Sequence, residues 1–223
     1  MADSIASSEQ RPGAPRARRR SAGDRREQIL GEAMKCFSED GFRGTTIRSL
    51  AQRVGLSEAA LYRYFPGKES IYAAILDQKM AAVDLVALLQ PVAGRRDDRE
   101  FFAGLANEIF ARVEGDPTFL RLLYFSALEG HQQAQPFFDS RVKRLREFVT
   151  DYISRRIEDG DFVDVDPVIA SRAFLGMVFD YLNVRLVLGQ AEAYPQPREE
   201  VTEIFVTIFL RGMQRLRRGE PSS

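Results

Sequence analysis

The sequence has little of the chemistry that disulfides, metal sites and nucleophilic catalysis need. Its 223 residues include one cysteine, Cys36, and one histidine, His131. One cysteine cannot form a disulfide within the chain, and one Cys with one His gives no Cys/His cluster at zinc-ligand spacing. The sequence also lacks a glycine-rich phosphate loop and a paired nucleophile and base. We therefore expect a protein that is not an enzyme and that uses no metal or cofactor.

Long apolar runs are also missing. No run approaches the roughly 18 apolar residues that a membrane span needs, and the arginine-rich first residues lack the apolar centre of a signal peptide. Hydrophobic residues make up 44% of the chain and charged residues 29%, which are ordinary values for a folded globular protein. These features predict a cytoplasmic protein with no membrane partner.

The formal net charge of zero hides a division along the chain. Residues 1–70 hold 13 Lys or Arg against 9 Asp or Glu, whereas residues 71–223 hold 19 against 23. Residues 1–23 consist mainly of Ser, Ala, Pro, Gly and Arg with almost no large apolar side chain, which predicts a disordered arm. A cluster of arginines suits a polyanionic partner and equally suits a solvated tail: Arg11, Arg16, Arg18, Arg19, Arg20, Arg25 and Arg26.

Helical periodicity dominates the chain beyond the arm, and no alternating strand pattern interrupts it. We predict an all-α fold of about nine helices, with Pro91 ending the long fourth helix. The expected domains are a helix-turn-helix domain over residues 24–70 and a larger helical domain over residues 71–218. The predicted helices lie at about 24–39, 46–53, 57–65, 68–89, 98–114, 117–129, 137–158, 167–188 and 198–218.

Residues 47–64 have the spacing of a helix-turn-helix. Gly55 lies at the bend, where glycine tolerates a left-handed backbone, and the small Ala51 lets the second helix pass close to the first. Ser57 is the candidate N-cap of the second helix. The side chains predicted to face inward are those of Leu50, Ala51, Val54, Leu56, Leu61 and Phe65.

The second of these helices has an outward side that suits DNA. Ala59 and Ala60 let the helix backbone approach the major groove, where bulky residues would hold it away. Arg48 and Arg63 are candidates for bidentate contacts with guanine, and Glu58 can accept a hydrogen bond from cytosine. The candidates for phosphate contacts, all with hydroxyl or ammonium groups, are Thr45, Thr46, Ser57, Tyr62, Tyr64 and Lys68.

A structural interpretation stands beside each of these roles. Tyr62 and Tyr64 can pack on the first helix, and Arg63 can be a solvated surface residue. Thr45 or Thr46 can serve as a helix cap, although capping does not exclude a phosphate contact.

Two runs carry a family resemblance: "ILGEAMKCFSEDGF" and the "TTIRSLAQRVGLSEAALYRYFPGKESIYAAIL" that follows closely. Together they resemble the TetR family of one-component bacterial transcriptional regulators over residues 25–80, which implies a nucleoid-associated location. Many members have histidine at Tyr64, and a tyrosine can donate to phosphate but carries no positive charge. The resemblance implies backbone contacts by Thr46, Tyr62, Tyr64 and Lys68, and base-facing positions for Arg48, Glu58, Ala59, Ala60 and Arg63.

The chain after about residue 90 is rich in phenylalanine, which predicts an aromatic core. The family resemblance implies that this half also encloses a mainly apolar ligand pocket. The polar candidates in this half can equally form surface ion pairs or helix caps. The residues that we expect to line the pocket are Phe101, Phe110, Arg112, Arg121, Phe125, Phe174, Met177, Asp180 and Tyr181.

The last two predicted helices, 167–188 and 198–218, are apolar around most of their circumference. Such helices must be covered on two sides. The resemblance implies that a second copy covers one side, giving a two-fold homodimer built as a four-helix bundle. Two recognition helices held about one helical turn of DNA apart suit a palindromic operator. Arg172 and Arg185 can pair with acidic residues across this interface or within the chain.

The leading hypothesis is a dimeric repressor that binds double-stranded DNA and is released by a small, largely apolar effector. A second hypothesis keeps DNA binding and gives the larger half a protein partner in place of a small molecule. The sequence identifies neither the operator nor the effector, and it does not separate repression from activation.

Overall fold

The computed structural model describes residues 22–81, 84–130 and 134–214, and these residues are mostly helical. No strand occurs among them, which confirms the all-α prediction. The predicted arm, up to residue 21, lies outside this part of the chain. The helices are α1 (Ala22–Gly44), α2 (Ile47–Val54), α3 (Glu58–Tyr62), α4 (Lys68–Met80), α5 (Leu85–Arg95), α6 (Asp98–Gly115), α7 (Pro117–Leu128), α8 (Gln135–Phe137), α9 (Lys143–Glu158), α10 (Pro167–Leu182) and α11 (Arg198–Met213).

Two π-helical turns modify the regular helices. The turn over Phe138–Val142 joins α8 to α9, and the turn over Asn183–Val187 prolongs α10. A 3₁₀ turn over Ala191–Ala193 follows before α11. Of the helices in the described ranges, none is both long enough and apolar enough to cross a membrane.

α4 and α5 are separate helices, so the predicted helix over residues 68–89 is wrong in its extent. The Asp84 side chain accepts a hydrogen bond from the Val86 amide at 3.0 Å and thereby caps α5. Pro91 does not end α5, which continues until Arg96 adopts a left-handed backbone with φ of 58°. The capping Asp84 thus begins a new helix within a run of apolar residues that predicted one continuous helix.

Two hydrophobic clusters form the interior. The N-terminal cluster is built from α1 to α4 together with Leu122 of α7 and Ala134. The C-terminal cluster is built from α5, α6, α9, α10 and α11 with Phe162. Ile71 and Leu76 of α4 belong to the N-terminal cluster, so this core extends past residue 70, where the sequence placed the domain boundary.

Aromatic rings fill the centre of the C-terminal cluster. The Phe102 ring centroid lies 4.7 Å from those of both Phe174 and Phe209, and the Phe101 ring stacks on Tyr152 at 3.8 Å. These side chains are buried, so each ring loses nearly all of its contact with water. The predicted aromatic core is present.

An ion cluster around the buried Arg156 closes one end of this half. The Arg156 guanidinium donates to Asp98 at 2.8 and 3.1 Å and also pairs with Asp159 and Asp161. Tyr152 donates its hydroxyl to Asp98 at 2.7 Å. Burial, with the hydrogen bond to Asp98, raises the pKa of Tyr152 far above its ordinary value, which keeps the phenol a neutral donor. The cluster ties α6 to the end of α9.

α7 joins the two halves. Its Leu122 is buried in the N-terminal cluster, and its Ser126 hydroxyl is hydrogen-bonded to the Tyr72 hydroxyl of α4. At the other end of α7, Asp116 pairs with Lys79 of α4. Burial raises the pKa of Tyr72, so this phenol remains neutral and able to donate. α7 therefore belongs to the larger half by sequence and to the N-terminal core by packing.

Candidate DNA-binding surface and ligand cavity

α2 begins with a reciprocal cap. Thr46 Oγ1 accepts a hydrogen bond from the Ser49 amide at 3.0 Å, and Ser49 Oγ accepts one from the Thr46 amide at 3.0 Å. Gly55 ends α2 in the left-handed conformation, with φ of 67°, and the Leu56 amide donates to the Ala51 carbonyl at 2.8 Å. The bend predicted at Gly55 is confirmed, because only this backbone lets the chain close the turn.

α3 is short and is held from both sides. Ser57 Oγ accepts a hydrogen bond from the Ala60 amide at 3.2 Å, which caps the helix as predicted. Leu61 and Phe65 are buried in the N-terminal cluster, also as predicted. Ala60 is half-buried. Arg48 of α2, Glu58, Ala59 and Tyr62 of α3 and Arg63, which follows α3, are exposed, and we call these five side chains the reading surface.

Thr45 and Tyr64 differ from the expectation of phosphate contacts. Thr45 is 0% exposed, and its hydroxyl donates to the Gly41 carbonyl at 2.8 Å. This corrects the prediction for Thr45, because a buried and occupied hydroxyl does not reach a phosphate. Tyr64 is half-buried against the N-terminal cluster, which agrees with the packing interpretation. Thr46 remains exposed beside its capping role.

Lys68 holds the connection between α1 and α2. Its ammonium group donates to the carbonyls of Phe42 at 2.8 Å and Thr45 at 3.0 Å, and it lies 4.4 Å from the centroid of the Phe42 ring. Two of its three N–H donors are therefore used inside the protein. The sequence predicted only a phosphate contact for Lys68 and missed this structural role.

Two arginines of α1 support the ends of the reading helices. Arg25 donates to the Val54 carbonyl at the end of α2 at 3.1 Å, and Arg26 donates to the Tyr64 carbonyl after α3 at 3.1 Å. The Arg26 guanidinium also lies 4.1 Å from the Phe65 ring centroid. Cations at the carbonyl ends of helices are favourable. The sequence placed both arginines among basic residues suited to a polyanion, because spacing along the chain does not show which helix end they reach.

A cavity of about 260 Å³ lies between α10 and α11, beside the turns that follow α10. Its lining is mainly aromatic and apolar. The Tyr181 hydroxyl is buried and has no hydrogen-bond partner in the part of the chain that the structure describes. The lining residues are Met177, Asp180, Tyr181, Val184, Tyr194 and Phe205, of which the first three were predicted.

The remaining predicted ligand residues do not line this cavity. Phe101 and Phe110 of α6 and Phe174 of α10 are fully buried and fill the core. Arg112 forms an ion pair with Glu108 at 3.3 Å. Arg121 and Phe125 lie on α7. A phenylalanine that packs the core and one that lines a cavity have the same helical spacing, which is why the sequence did not separate them. The predicted ligand residues that lie outside this cavity are Phe101, Phe110, Arg112, Arg121, Phe125 and Phe174.

Glu114 connects three elements behind the cavity. It pairs with Arg185 at 3.1 Å and with Arg198 at 3.5 Å, so it links α6 to the π-helical turn and to α11. Arg185 therefore pairs within the chain, which was one of the two predicted possibilities. Its guanidinium lies 5.3 Å from the Tyr181 ring centroid. The sequence gave no sign of Glu114, whose role depends on helices far apart along the chain.

A larger depression of about 760 Å³ lies beside the start of α6 and the end of α11. Arg96 pairs with Asp159, and Arg99 pairs with Glu203 across its surface. This charged lining does not suit an apolar effector. The residues around it are Arg95, Arg96, Asp97, Asp98, Arg99, Glu203, Thr207, Leu210, Arg211 and Gln214.

Two family models match the chain. The model described as bacterial regulatory proteins, tetR family, matches residues 29–75, and the model described as AefR-like transcriptional repressor, C-terminal domain, matches residues 116–213. Together they span more than half of the sequence.

Individual relatives match along most of their length. The HTH-type transcriptional repressor Rv1474c of Mycobacterium tuberculosis is 28% identical over 173 residues, 74% of this chain and 84% of the relative. The nucleoid occlusion factor SlmA of Haemophilus influenzae is 28% identical over 207 residues, 86% of this chain and 90% of the relative. The crystal structure of the TetR family regulator PfmR from Thermus thermophilus is 28% identical, with a TM-score of 0.66, covering 85% of this chain and 97% of that chain.

The contacts of Lys68 generate a prediction about stability. Lys68→Ala should lower the free energy of unfolding by about 1–2 kcal/mol, because two backbone carbonyls lose a charged donor that is partly shielded from water. Tyr62→Phe is the control and should leave stability within about 0.5 kcal/mol, because the Tyr62 side chain is 51% exposed. Urea unfolding followed by circular dichroism measures both. Equal midpoints for Lys68→Ala and the wild type would contradict the structural role.

Proposed function

This chain belongs to the TetR family of bacterial regulatory proteins, and we propose that it represses transcription as a homodimer bound to a palindromic operator. A small, largely apolar effector releases it from the DNA. The observation that carries the proposal is a capped helix-turn-helix whose reading surface is exposed beside a separate domain with a cavity. Matched relatives named as transcriptional repressors support repression, and the nucleoid occlusion factor among them supports a cytoplasmic location on the nucleoid.

The reading surface offers two kinds of contact: contacts with bases, which read the DNA sequence, and contacts with phosphates, which position the protein on the DNA. Arg48 and Arg63 are exposed guanidinium groups that can form bidentate hydrogen bonds with guanine, and Glu58 can accept from a cytosine amine. Ala59 gives the backbone clearance in the major groove. The exposed Tyr62 hydroxyl can donate to a phosphate oxygen.

Phosphate contacts extend this surface at its edges. The exposed Ser57 hydroxyl can donate to a phosphate while it accepts from the Ala60 amide as a cap. The exposed Thr46 hydroxyl donates to Ser49 Oγ at 3.1 Å, and it contacts a phosphate by turning this O–H from Ser49 to the DNA. Lys68 keeps one N–H for a phosphate after its two internal hydrogen bonds. The half-buried Tyr64 makes at most an edge contact, and Thr45 makes none.

An exposed apolar face on the last two helices supports the homodimer. On α10, Val168 and Ile169 are 50% and 65% exposed, and on α11, Ile204 and Ile208 are 44% and 59% exposed. The same helices bury their other sides in the C-terminal cluster. Covering this face with a second copy removes the apolar surface from water and gives a two-fold pair of reading surfaces. Recognition helices about 34 Å apart match successive turns of one DNA groove.

The cavity between α10 and α11 supports a small effector. Three aromatic rings and Met177 give it an apolar lining, and a volume of about 260 Å³ fits a compact molecule. The unpartnered Tyr181 hydroxyl adds one donor that favours a ligand with a hydrogen-bond acceptor. Because the lining comes from both helices of the proposed dimer face, occupancy alters the spacing of the two reading surfaces.

DNA binding is tested by selecting duplexes from a random-sequence library with the full chain and measuring affinity for the enriched duplex. We expect a palindrome. Arg48→Ala should weaken binding about 10- to 100-fold and relax specificity at one symmetric pair of positions, because a bidentate base contact is lost in each half-site. Tyr62→Phe should weaken all sequences equally.

Arg146→Ala is the charge-matched control for these variants. Arg146 is exposed on α9, and its removal should leave operator affinity unchanged. The residue assignment fails if Arg48→Ala and Tyr62→Phe both bind the selected duplex as tightly as the wild type. The proposal itself fails if the selection enriches no sequence.

The dimer face generates a second expected outcome. Ile169→Asp with Ile208→Asp should convert the dimer into a monomer of 25.3 kDa, because four charged groups would lie in the two-fold interface. Operator affinity should fall with it. Sedimentation velocity measures the mass, and Leu88→Asp, an equally polar change at an exposed residue of α5, should leave the dimer intact. A double variant that sediments as a dimer would overturn this interface.

The effector generates a third expected outcome. In a thermal-shift screen of compact aromatic compounds, a true effector at about 100 times its Kd should add about 2.7 kcal/mol of stability and release the operator. Val184→Phe should abolish both effects by filling the cavity, whereas Tyr124→Phe, outside the lining, should preserve them. Hits that are unaffected by Val184→Phe would place the effector elsewhere. A screen without hits would favour a protein partner.

A further inference from the structure

The connection between α1 and α2 comprises residues 41–46, from the break in α1 at Gly41 to the cap of α2. Two backbone N–H groups of this connection donate hydrogen bonds to a residue at the end of α7. Gly41 interrupts α1 with φ of 71° and ψ of 175°, so the amides that follow lose their regular helical partners. The Glu129 carboxylate accepts from the Phe42 amide at 3.0 Å and from the Arg43 amide at 3.4 Å. In return, the Arg43 guanidinium donates to the Glu129 carbonyl at 3.3 Å. Glu129 and the connection therefore hold each other through both backbone and side chains.

A side chain at Gly41 would displace the Glu129 carboxylate from its position. A Cβ atom on Gly41 would lie 2.5 Å from Glu129 Oε1 and 3.2 Å from its carboxyl carbon. Glycine is thus needed for its backbone conformation and for the close approach of the carboxylate. We call this contact of Glu129 with Gly41, Phe42 and Arg43 the carboxylate clamp.

The position of Glu129 on its own helix is unfavourable without the clamp. Glu129 caps the C-terminal end of α7, where the helix dipole disfavours negative charge. Two amide donors from another element offset that cost, because hydrogen bonds to a carboxylate are among the stronger ones in proteins. The contribution of this carboxylate therefore lies in the contact with α1 and not in the stability of α7.

The same connection is held from its other side by α4. Lys68 donates to the carbonyls of Phe42 and Thr45, while Glu129 accepts from the amides of Phe42 and Arg43. Thr46, which follows Thr45 in the chain, caps α2 and begins the helix-turn-helix. The clamp therefore lies immediately before the residues that begin α2.

The body of α7 leads from the clamp to the cavity. α7 packs against the π-helical turn over Asn183–Val187, which contains the cavity-lining Val184. Burial raises the pKa of Tyr124 on α7, and the charge of Asp180 adds to this shift, so Tyr124 lies within electrostatic reach of the cavity lining. One rigid helix thus contacts both regions.

We propose that Glu129 is a positioning residue, through which α7 holds the α1–α2 connection in the geometry that binds the operator. The proposal rests on the operator-binding function proposed above. A shift of α7 along or about its axis withdraws the carboxylate and frees the Phe42 and Arg43 amides. Of Glu129 and Lys68, only Lys68 then holds the connection that leads to α2, and the two reading surfaces lose their fixed spacing.

The test compares Glu129→Ala and Glu129→Gln with the wild-type full chain, at a temperature where all are folded and dimeric. Glu158→Ala is the matched control, because it removes a carboxylate from the C-terminal end of α9, far along the chain from the connection. Hydrogen exchange by mass spectrometry follows the amides of residues 41–65. Fluorescence anisotropy gives the affinity for the duplex selected from the random library.

We expect Glu129→Ala to exchange faster at residues 42–55 and to bind the selected duplex about tenfold more weakly. Glu129→Gln keeps an acceptor oxygen and should recover most of both properties, and Glu158→Ala should match the wild type. Unchanged exchange in Glu129→Ala would overturn the clamp. Faster exchange with unchanged affinity would make Glu129 merely structural and would overturn its positioning role.

The failure of this inference can be told apart from the failure of the proposed function. If the wild type selects a duplex that Glu129→Ala binds equally well, operator binding stands and the role of Glu129 falls. If the wild type selects no duplex, operator binding falls and the positioning role falls with it, while the exchange measurement still decides whether the clamp exists.

Discussion

The packing of α7 against α1 is the contact on which the rest of the structure depends. Leu122 completes the N-terminal cluster, Ser126 reaches Tyr72 of α4, and Glu129 satisfies amides where α1 breaks. Apolar burial, a hydroxyl pair and a carboxylate thus act along one helix. These contacts come from a helix that lies beyond α4, α5 and α6 in the chain, so the core beneath the helix-turn-helix includes side chains from outside residues 24–70.

Much of the structure of the proposed DNA-binding surface was predictable because its determinants are local. Caps, a left-handed glycine and apolar spacing all act within a few residues, and Thr46, Gly55, Ser57 and Leu61 occupy the predicted places. Exposure of the reading surface follows from the same periodicity. The error at Thr45 arose because two adjacent threonines have similar cap propensity, and only the backbone break at Gly41 decides which one is buried.

The ligand cavity and the supporting contacts were less predictable because they depend on contacts between distant segments. Periodicity predicts that Phe102 and Phe205 are apolar-facing, but it does not show which ring fills the core and which borders a space. Glu114, Glu129 and Lys68 each satisfy groups that come from other helices. The division between α4 and α5 was missed because a capping aspartate within an apolar run has a weak local signal.

Leu122 belongs to the larger half by its place in the sequence but is buried in the N-terminal cluster. This arrangement limits how the N-terminal part of this regulator can be joined to the larger half of another protein. A chimera cut after α4 would carry the reading surface but would leave the N-terminal cluster without one of its buried side chains. Such a fragment would expose apolar surface on α1 and α4 to water. A DNA-binding module taken from this chain must therefore include α7 or a helix that reproduces its buried face. Such a module consists of two segments, α1 to α4 and α7, that are not contiguous in the sequence.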